Sequence, residues 1–239
     1  MINEDLFMNN IFVSAIIVAA GNSTRMGKDK IFLPLNKIPA VAYTLKAFEK
    51  SDAISEIIVV CKKEHESKLK SIISEYSISK FKNFALGGEF RQESVFSGVK
   101  LCNEKAKYFA IHDAARCLIT SEKIDESIAD AIVHKASSLG IPCKDTLKIL
   151  NNDNFVISTP DRSTLWNIQT PQVFEKNLYI DAMLSAIKSG VNYTDDCQLI
   201  EKMGKMVHIV KGSYSNFKLT TPDDIAVFEN ILNLRGKSL

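Results

Sequence analysis

The chain has 239 residues, enough for one large domain or two small ones with a sizeable core. With 46% hydrophobic and 24% charged residues it has the make-up of an ordinary globular protein, and 30 Lys and Arg against 28 Asp and Glu leave a net charge of only +2. That balance excludes a general electrostatic attraction for nucleic acid or a membrane surface, so any basic residues that matter act locally, in a pocket.

The lead, residues 1–11, carries Glu4 and Asp5 and no Lys or Arg, which is the wrong flank for a signal peptide. No apolar stretch approaches the ~20 residues that cross a bilayer. A cytoplasmic protein is expected, with residues 1–11 a flexible lead-in and residues 12–239 a single domain. Strand-like runs at 13–20, 56–61, 83–86 and 108–112 alternate with helical patterns. Val41, Thr44, Leu45 and Phe48 mark the first helix, and Leu69, Ile72, Ile73 and Tyr76 the second. Val95, Val99 and Cys102 mark the third, and Ile124, Ile128 and Ile132 the fourth. This alternation predicts an α/β, Rossmann-like fold with a mostly parallel sheet flanked by helices. The five cysteines contain no C-x-x-C pair and read as neither a zinc site nor a disulfide framework. His65, His134 and His208 lack metal-ligand spacing and read as ordinary surface or core histidines; His112 stands apart because of its neighbours.

After Pro142 the pattern changes to two short alternating strands, 146–150 and 155–159, joined by the turn Asn151-Asn152-Asp153-Asn154. A lone hairpin is marginal in water, so an arm at about 142–164 should pack on something, and a second subunit would serve. Ile180, Met183, Leu184 and Ile187 give a further helix, followed by the acidic pair after Thr194 and a strand at 206–210. Thr221 is expected to cap the last helix, with Pro222 in its first position and Asp223 and Asp224 at the positive end of its dipole.

In an open α/β sheet, ligands bind beyond the carboxyl ends of the strands, and three segments stand there. The first, AAGNSTRMGKDK (19–30), looks like a phosphate loop. Five residues separate its glycines and Asp29 follows Lys28, which excludes the Walker-A pattern, and Ser23 stands where a dinucleotide fingerprint needs glycine. What remains is a loop with backbone N–H groups available to an anion, plus Arg25, Lys28 and Lys30. The second, GGEFRQESV (87–95), sets two glycines before Arg91 and Ser94 in the first turn of a helix, where a ligand can approach unpaired donors. The third, IHDAAR (111–116), ends a strand on Asp113, a residue type that can hold Mg²⁺ beside phosphates, with Arg116 offering a fork-shaped donor.

These segments, in this order, resemble the nucleotidyltransferases of the sugar-nucleotide type. Together with KIFLPL, KDTLK, DRSTLWNIQTPQVF, YTDDCQLIE and NFKLTTPDD they resemble the 2-C-methyl-D-erythritol 4-phosphate cytidylyltransferases of non-mevalonate isoprenoid synthesis, from about residue 13 to residue 234. The resemblance implies transfer of a cytidylyl group from CTP to the polyol phosphate, with release of pyrophosphate and a Mg²⁺ cofactor. It implies that Ala19, Ala20, Gly21, Gly88, Glu89 and Ser94 surround cytosine and ribose, that Arg25, Lys30 and Lys218 are catalytic cations on the phosphates, and that Asp113 binds the metal. Arg116, Thr146, Arg162, Thr170 and Thr194 would contact the acceptor, with the Thr146 arm reaching across a homodimer. The chain departs from the family pattern at Asp29 and Ile31, where proline and glutamine are usual, and at Cys117, where proline is usual. A ribitol-5-phosphate cytidylyltransferase shares the CTP loops, and a catalytically silent nucleotide-binding module shares the fold; KDTLK and YTDDCQLIE speak against the first, and the joint presence of Arg25, Lys30, Asp113 and Lys218 against the second.

Overall fold

The computed structural model describes residues 11–21 and 29–236. Its strands are β1 (Val13–Val18), β2 (Pro34–Leu35), β3 (Ile38–Pro39), β4 (Glu56–Cys61), β5 (Phe81–Leu86), β6 (Tyr108–Asp113), β7 (Ala136–Pro142), β8 (Ile149–Leu150), β9 (Val156–Ser158), β10 (Trp166–Glu175) and β11 (His208–Lys211). The helices are α1 (Ala40–Lys50), α2 (Glu66–Glu75), α3 (Arg91–Val99), α4 (Ser121–His134), α5 (Lys176–Ser189), α6 (Asp196–Lys202) and α7 (Asp224–Gly236).

Seven strands form the central sheet in the order β11-β7-β10-β6-β1-β4-β5. All neighbours are parallel except β10, which runs antiparallel to both β6 and β7. Strand order reverses beside β1: the chain proceeds from β1 outward to β4 and β5, then returns to place β6 on the other side. The crevice at the carboxyl ends of β1 and β6 is therefore a topological switch point, where α/β sheets bind ligands.

The alternating residues of β1 and β4 feed the two faces. Ala15, Ile17, Ile57 and Val59 join a core with Leu45 and Phe48 of α1, Leu69 and Ile72 of α2, and Ile124 and Ile128 of α4. Ile16, Ile58 and Val60 join the opposite core with Val95 of α3, Tyr179 and Met183 of α5, and Ile200 of α6. Burial on both faces explains why these strands read as continuous apolar runs. A third cluster, with Leu35, Ala115, Leu118, Leu219 and Phe228, packs α7 over the end of the sheet nearest the crevice.

β7, β10 and the start of the last helix differ from expectation. β7 and β10 are not legible as strands, because Ser137, Ser138, Gln169, Thr170 and Gln172 are buried polar residues that break the apolar pattern. The last helix begins at Asp224 rather than after Thr221. The Asp224 carboxylate accepts the N–H groups of Thr220 at 2.7 Å and Thr221 at 2.8 Å, which ties the stretch before the helix to its first turn.

The arm is present as a β8–β9 hairpin, shorter than the strands expected at 146–150 and 155–159. Asn151 organises its turn: the side-chain oxygen accepts N–H groups from Asp153 at 3.1 Å and Phe155 at 2.9 Å, and Asn154 adopts φ 65°. Phe155 is 72% exposed and Ile157 64%, with Leu150 and Val156 beside them also exposed. Exposed apolar side chains are thus gathered on the hairpin.

Candidate active site

A cavity of about 320 Å³ opens at the switch point. One wall is Val18 to Gly21, directly after β1; a second is Gly88 to Arg91 with Ser94, between β5 and α3; Asp113 and Ala115 form the floor after β6, and Lys30, Ile31, Lys218 and Thr220 close it. The cavity is thus built by the three loops singled out in the sequence, together with the segment before α7.

β5 is two strands away from β1, so its loop must cross over β4 to reach the crevice. Gly87 makes the crossing, donating its N–H to Cys61 O at 3.0 Å. A Cβ on Gly87 would collide with the Cβ of Ala20, so the two loops meet only because residue 87 has no side chain. Ser94 then fixes the turn from the helix side: its Oγ accepts the Gly88 N–H at 3.0 Å and donates to Phe90 O at 3.1 Å. Glu93 accepts the N–H groups of Glu89 at 2.9 Å and Phe90 at 3.4 Å, half of a capping box.

Asp113 is the electrostatic centre. Its carboxylate faces Lys218 Nζ at 2.8 Å, Arg91 Nε at 3.4 Å and Arg116 Nε at 3.9 Å. Burial alone would raise its pKa, yet Arg91, Lys218 and Arg116 hold it well below the usual carboxylate range, so it stays ionised. Arg91 is shared, because its Nη1 donates to Asp196 at 2.5 Å and Asp196 also accepts the Tyr179 hydroxyl at 2.6 Å. Burial tends to lower the Arg91 pKa, but Asp196 and Asp113 raise it above its ordinary value. Gln172 Oε1 completes the support by accepting the Asp196 N–H at 3.1 Å. Such a buried network holds its members in one arrangement because every alternative leaves a charge unpaired.

Lys218 comes from far along the chain and is steered by the stretch before it. β10 bulges between Ile168 and Gln172, and the displaced residues grip that stretch: Gln169 Nε2 donates to Ser213 O at 2.8 Å and Asn216 Nδ2 to Thr170 O at 3.0 Å. Leu219, fully buried, donates its N–H to Ala115 O at 2.8 Å. Lys218 is held between these two anchors, beside the end of β6. Lys30 opens a short 3-10 turn, Lys30–Phe32, whose two sequence departures have structural uses. Ile31 is buried in the core, and Asp29 contacts His65 Nε2 at 3.1 Å. Cys117, the third departure, is buried against Leu35 and Phe228 in the cluster under α7.

Thr170 and His112 form a relay behind Asp113. The Asp113 N–H donates to Thr170 Oγ1 at 3.1 Å; Thr170 Oγ1 lies 3.0 Å from His112 Nδ1, and His112 Nε2 lies 3.3 Å from Arg116 O. A carbonyl only accepts, so Nε2 carries the proton and Nδ1 accepts from the threonine hydroxyl. This needs a neutral imidazole, and burial pushes the His112 pKa down to about 3. A folded-state value depressed below the ordinary 6.5 means that the unfolded chain binds the extra proton first. Stability from this group is therefore complete above pH 6.5 and is lost as pH falls toward about 3. The wild-type unfolding free energy should accordingly fall with pH by about 1.4 kcal/mol per unit more steeply than that of His112→Gln. Urea melts between pH 6 and pH 5, about one unit apart, check this; equal slopes would mean an imidazole that titrates normally in the fold.

Of the residues expected at the site, Ala19, Ala20, Gly21, Lys30, Gly88, Glu89, Ser94, Asp113 and Lys218 all line the cavity. Arg25 and Lys28 lie outside the described residues. Arg116 sits behind Asp113, donating to Asn216 O at 3.0 Å and Ile168 O at 3.3 Å. Thr170 is buried in the relay, and Thr194 Oγ1 donates to Gln198 at 3.2 Å at the start of α6. Thr146 and Arg162 are exposed on the arm and do not line this cavity. Asp196 and Tyr179 are the functional neighbours the sequence reading did not single out; Arg91 was flagged in its loop, but its pairing with Asp196 joins residues 105 positions apart.

A switch-point cavity lined by glycines, by Lys30 and Lys218 and by the carboxylates of Asp113 and Glu89 is where an α/β enzyme binds a ligand, and its cations suit an anionic one such as a nucleotide. The family model for IspD, 2-C-methyl-D-erythritol 4-phosphate cytidylyltransferase, matches residues 13–234, and the chain belongs to that family. It is 45% identical over 223 residues to the enzyme of that name from Caldanaerobacter subterraneus subsp. tengcongensis, covering 92% of this chain and 98% of the relative. The Clostridioides difficile relative is 42% identical over 227 residues, covering 94% and 95%. Among solved structures, 4-diphosphocytidyl-2C-methyl-D-erythritol synthase from Anaerococcus prevotii superposes with TM-score 0.85 at 32% identity, covering 95% of this chain and 99% of that one.

Proposed function

We propose that the chain catalyses cytidylyl transfer from CTP to 2-C-methyl-D-erythritol 4-phosphate in non-mevalonate isoprenoid synthesis, using the cavity at the switch point. The observation that supports this reading is the convergence of Lys30, Asp113 and Lys218, from three distant parts of the chain, on one cavity walled by Ala19–Gly21 and Gly88–Ser94. In the reaction an acceptor phosphate oxygen bonds to the α-phosphorus of CTP. The bond from that phosphorus to the bridging oxygen breaks, and pyrophosphate leaves with the electron pair. The nucleophile is already an anion, so the protein needs no general base; it must align the groups and offset the charge that gathers on the α-phosphoryl oxygens.

The roles are those the family resemblance implies, and the positions of the described residues support them. Ala19, Ala20, Gly21, Gly88, Glu89 and Ser94 enclose the cytidine, where the Gly87–Ala20 contact leaves backbone exposed. Lys30, with Arg25, holds the triphosphate, and Lys218 meets the α-phosphate. Mg²⁺ fits the residues present: Asp113 is a carboxylate on the cavity floor whose pKa Arg91, Lys218 and Arg116 hold below the usual range, and this ion takes one or two carboxylates together with phosphate oxygens. When bound, it neutralises triphosphate charge. Asp113 would hold it, exchanging its Lys218 contact, which frees that ammonium for the phosphate.

Thr146 and Arg162 belong to the arm, so the acceptor side is completed by a homodimer in which each arm reaches the other copy, near Arg116, Thr170 and Thr194. Among the described residues no helix is long and apolar enough to cross a membrane; a cytoplasmic reaction is the reading that the charged substrates support. The test of acceptor choice is a competition: CTP and Mg²⁺ with equal methylerythritol 4-phosphate and ribitol 5-phosphate. The CDP-methylerythritol product is expected to predominate; a CDP-ribitol product in excess would reassign the acceptor, and no product from either would point to a silent nucleotide-binding module.

A further inference from the structure

Far from the cavity, at the outer edge of the sheet, Asp130, His134 and His208 meet. Asp130 and His134 are one turn apart at the end of α4, and His208 opens the edge strand β11, 78 residues beyond Asp130. Each offers one ligand atom, and these atoms all lie within 4.8 Å of one another. His208 Nδ1 is 2.9 Å from the Asp130 carboxylate and His134 Nδ1 is 3.5 Å from it. The two imidazoles are stacked, 4.1 Å between centroids and 8° from parallel. Read singly, these histidines have no metal-ligand spacing; the fold supplies it by laying β11 beside α4.

We propose that this trio is a second metal site, selective for a divalent transition metal such as Zn²⁺. Two imidazole nitrogens and one carboxylate oxygen are a donor set that zinc accepts with a water as fourth ligand. Around such an ion, ligand atoms stand about 3.4 Å apart, from bonds of about 2.0 to 2.1 Å in a tetrahedron. The ligand atoms here lie within 4.8 Å of one another on two exposed rings and a carboxylate, and His134, whose Nδ1 lies 3.2 Å from the Asp130 backbone oxygen, would exchange that contact for the ion. The site lies at the C-terminal end of α4, where the helix dipole favours a cation. Nitrogen donors disfavour Mg²⁺, so the hard ion at Asp113 and the softer one here do not compete. The ion would clip α4 to β11, whose only partner in the sheet among the described residues is β7 and whose chain continues toward Lys218.

The experiment is calorimetric titration of ZnCl₂ into the full chain with Mg²⁺ present, for wild type, His208→Ala and Asp130→Asn. One zinc per chain is expected, weakened at least about tenfold in each variant. Co²⁺ as the probe should give ligand-field bands without a thiolate charge-transfer band, which separates this site from Cys102, the one partly exposed cysteine. Zinc uptake that is unchanged in both variants, or that carries a thiolate band, places the ion elsewhere and overturns the proposal. Affinity weaker than about 1 mM in wild type reduces the trio to a hydrogen-bonded surface contact and overturns it too.

Discussion

Lys218→Ala is expected to lower kcat by about 100- to 1000-fold while the protein remains folded, and Lys30→Ala to do the same. The argument for Lys218 is positional. Leu219 and Asn216 are anchored on either side of it, so the ammonium is presented at the end of β6 whatever its own contacts do. Its partner in the free protein is Asp113 at 2.8 Å, and a cation that exchanges this carboxylate for a phosphate oxygen acts most strongly when charge accumulates on that oxygen. Lys30 is held in a comparable way, by burial of Ile31 on one side and the Asp29–His65 contact on the other. Because Lys218 is 39% exposed, its loss leaves no sealed void, and circular dichroism of the variant should match wild type. Steady-state kinetics in CTP and in acceptor check the prediction, the loss falling mainly on kcat. Near wild-type turnover in either variant would remove that lysine from the catalytic set.

Charge placed on the arm should have an effect of similar size by a different route. Phe155→Asp combined with Ile157→Asp is expected to turn the proposed dimer into a monomer and to remove activity with the acceptor, while CTP binding is retained. Both side chains are largely in solvent within one chain, so a carboxylate there costs the monomer little. Buried between two copies, each would be an unpaired charge, which costs several kcal/mol. Light scattering with fluorescence titration of CTP separates the two effects. A wild-type chain that scatters as a monomer at micromolar concentration would refute the arm-exchanged dimer.

The parts of the fold that were legible in the sequence are those whose residues answer only to the core. β1 and β4 are apolar on both sides and α1, α2 and α4 carry regular buried stripes, so their pattern announces them. β7 and β10 were hidden because they serve the site: Gln169, Thr170 and Gln172 spend inward positions on Ser213, the Asp113 amide and Asp195 rather than on packing. Sequence-level rules fail where function overrides them. The candidate site divides along the same line. Residues next to strand ends, such as Gly21, Gly88 and Asp113, were found from their position alone. The long-range pairings, Arg91 with Asp196 and Asp130 with His208, join segments 105 and 78 residues apart and leave no local signal.

The stretch AAGNSTRMGKDK fits neither the Walker nor the dinucleotide pattern; in the proposed reaction it would act with Asp113 and Lys218 to present the α-phosphorus for transfer rather than the γ-phosphorus for hydrolysis. The measurement that bears on this most directly is ³¹P NMR of the purified protein with CTP, Mg²⁺ and methylerythritol 4-phosphate, with the acceptor then left out. Acceptor-dependent pyrophosphate, formed in equal amount with the CDP-linked product and without inorganic phosphate, is the predicted result. Inorganic phosphate and CDP appearing without the acceptor would contradict it.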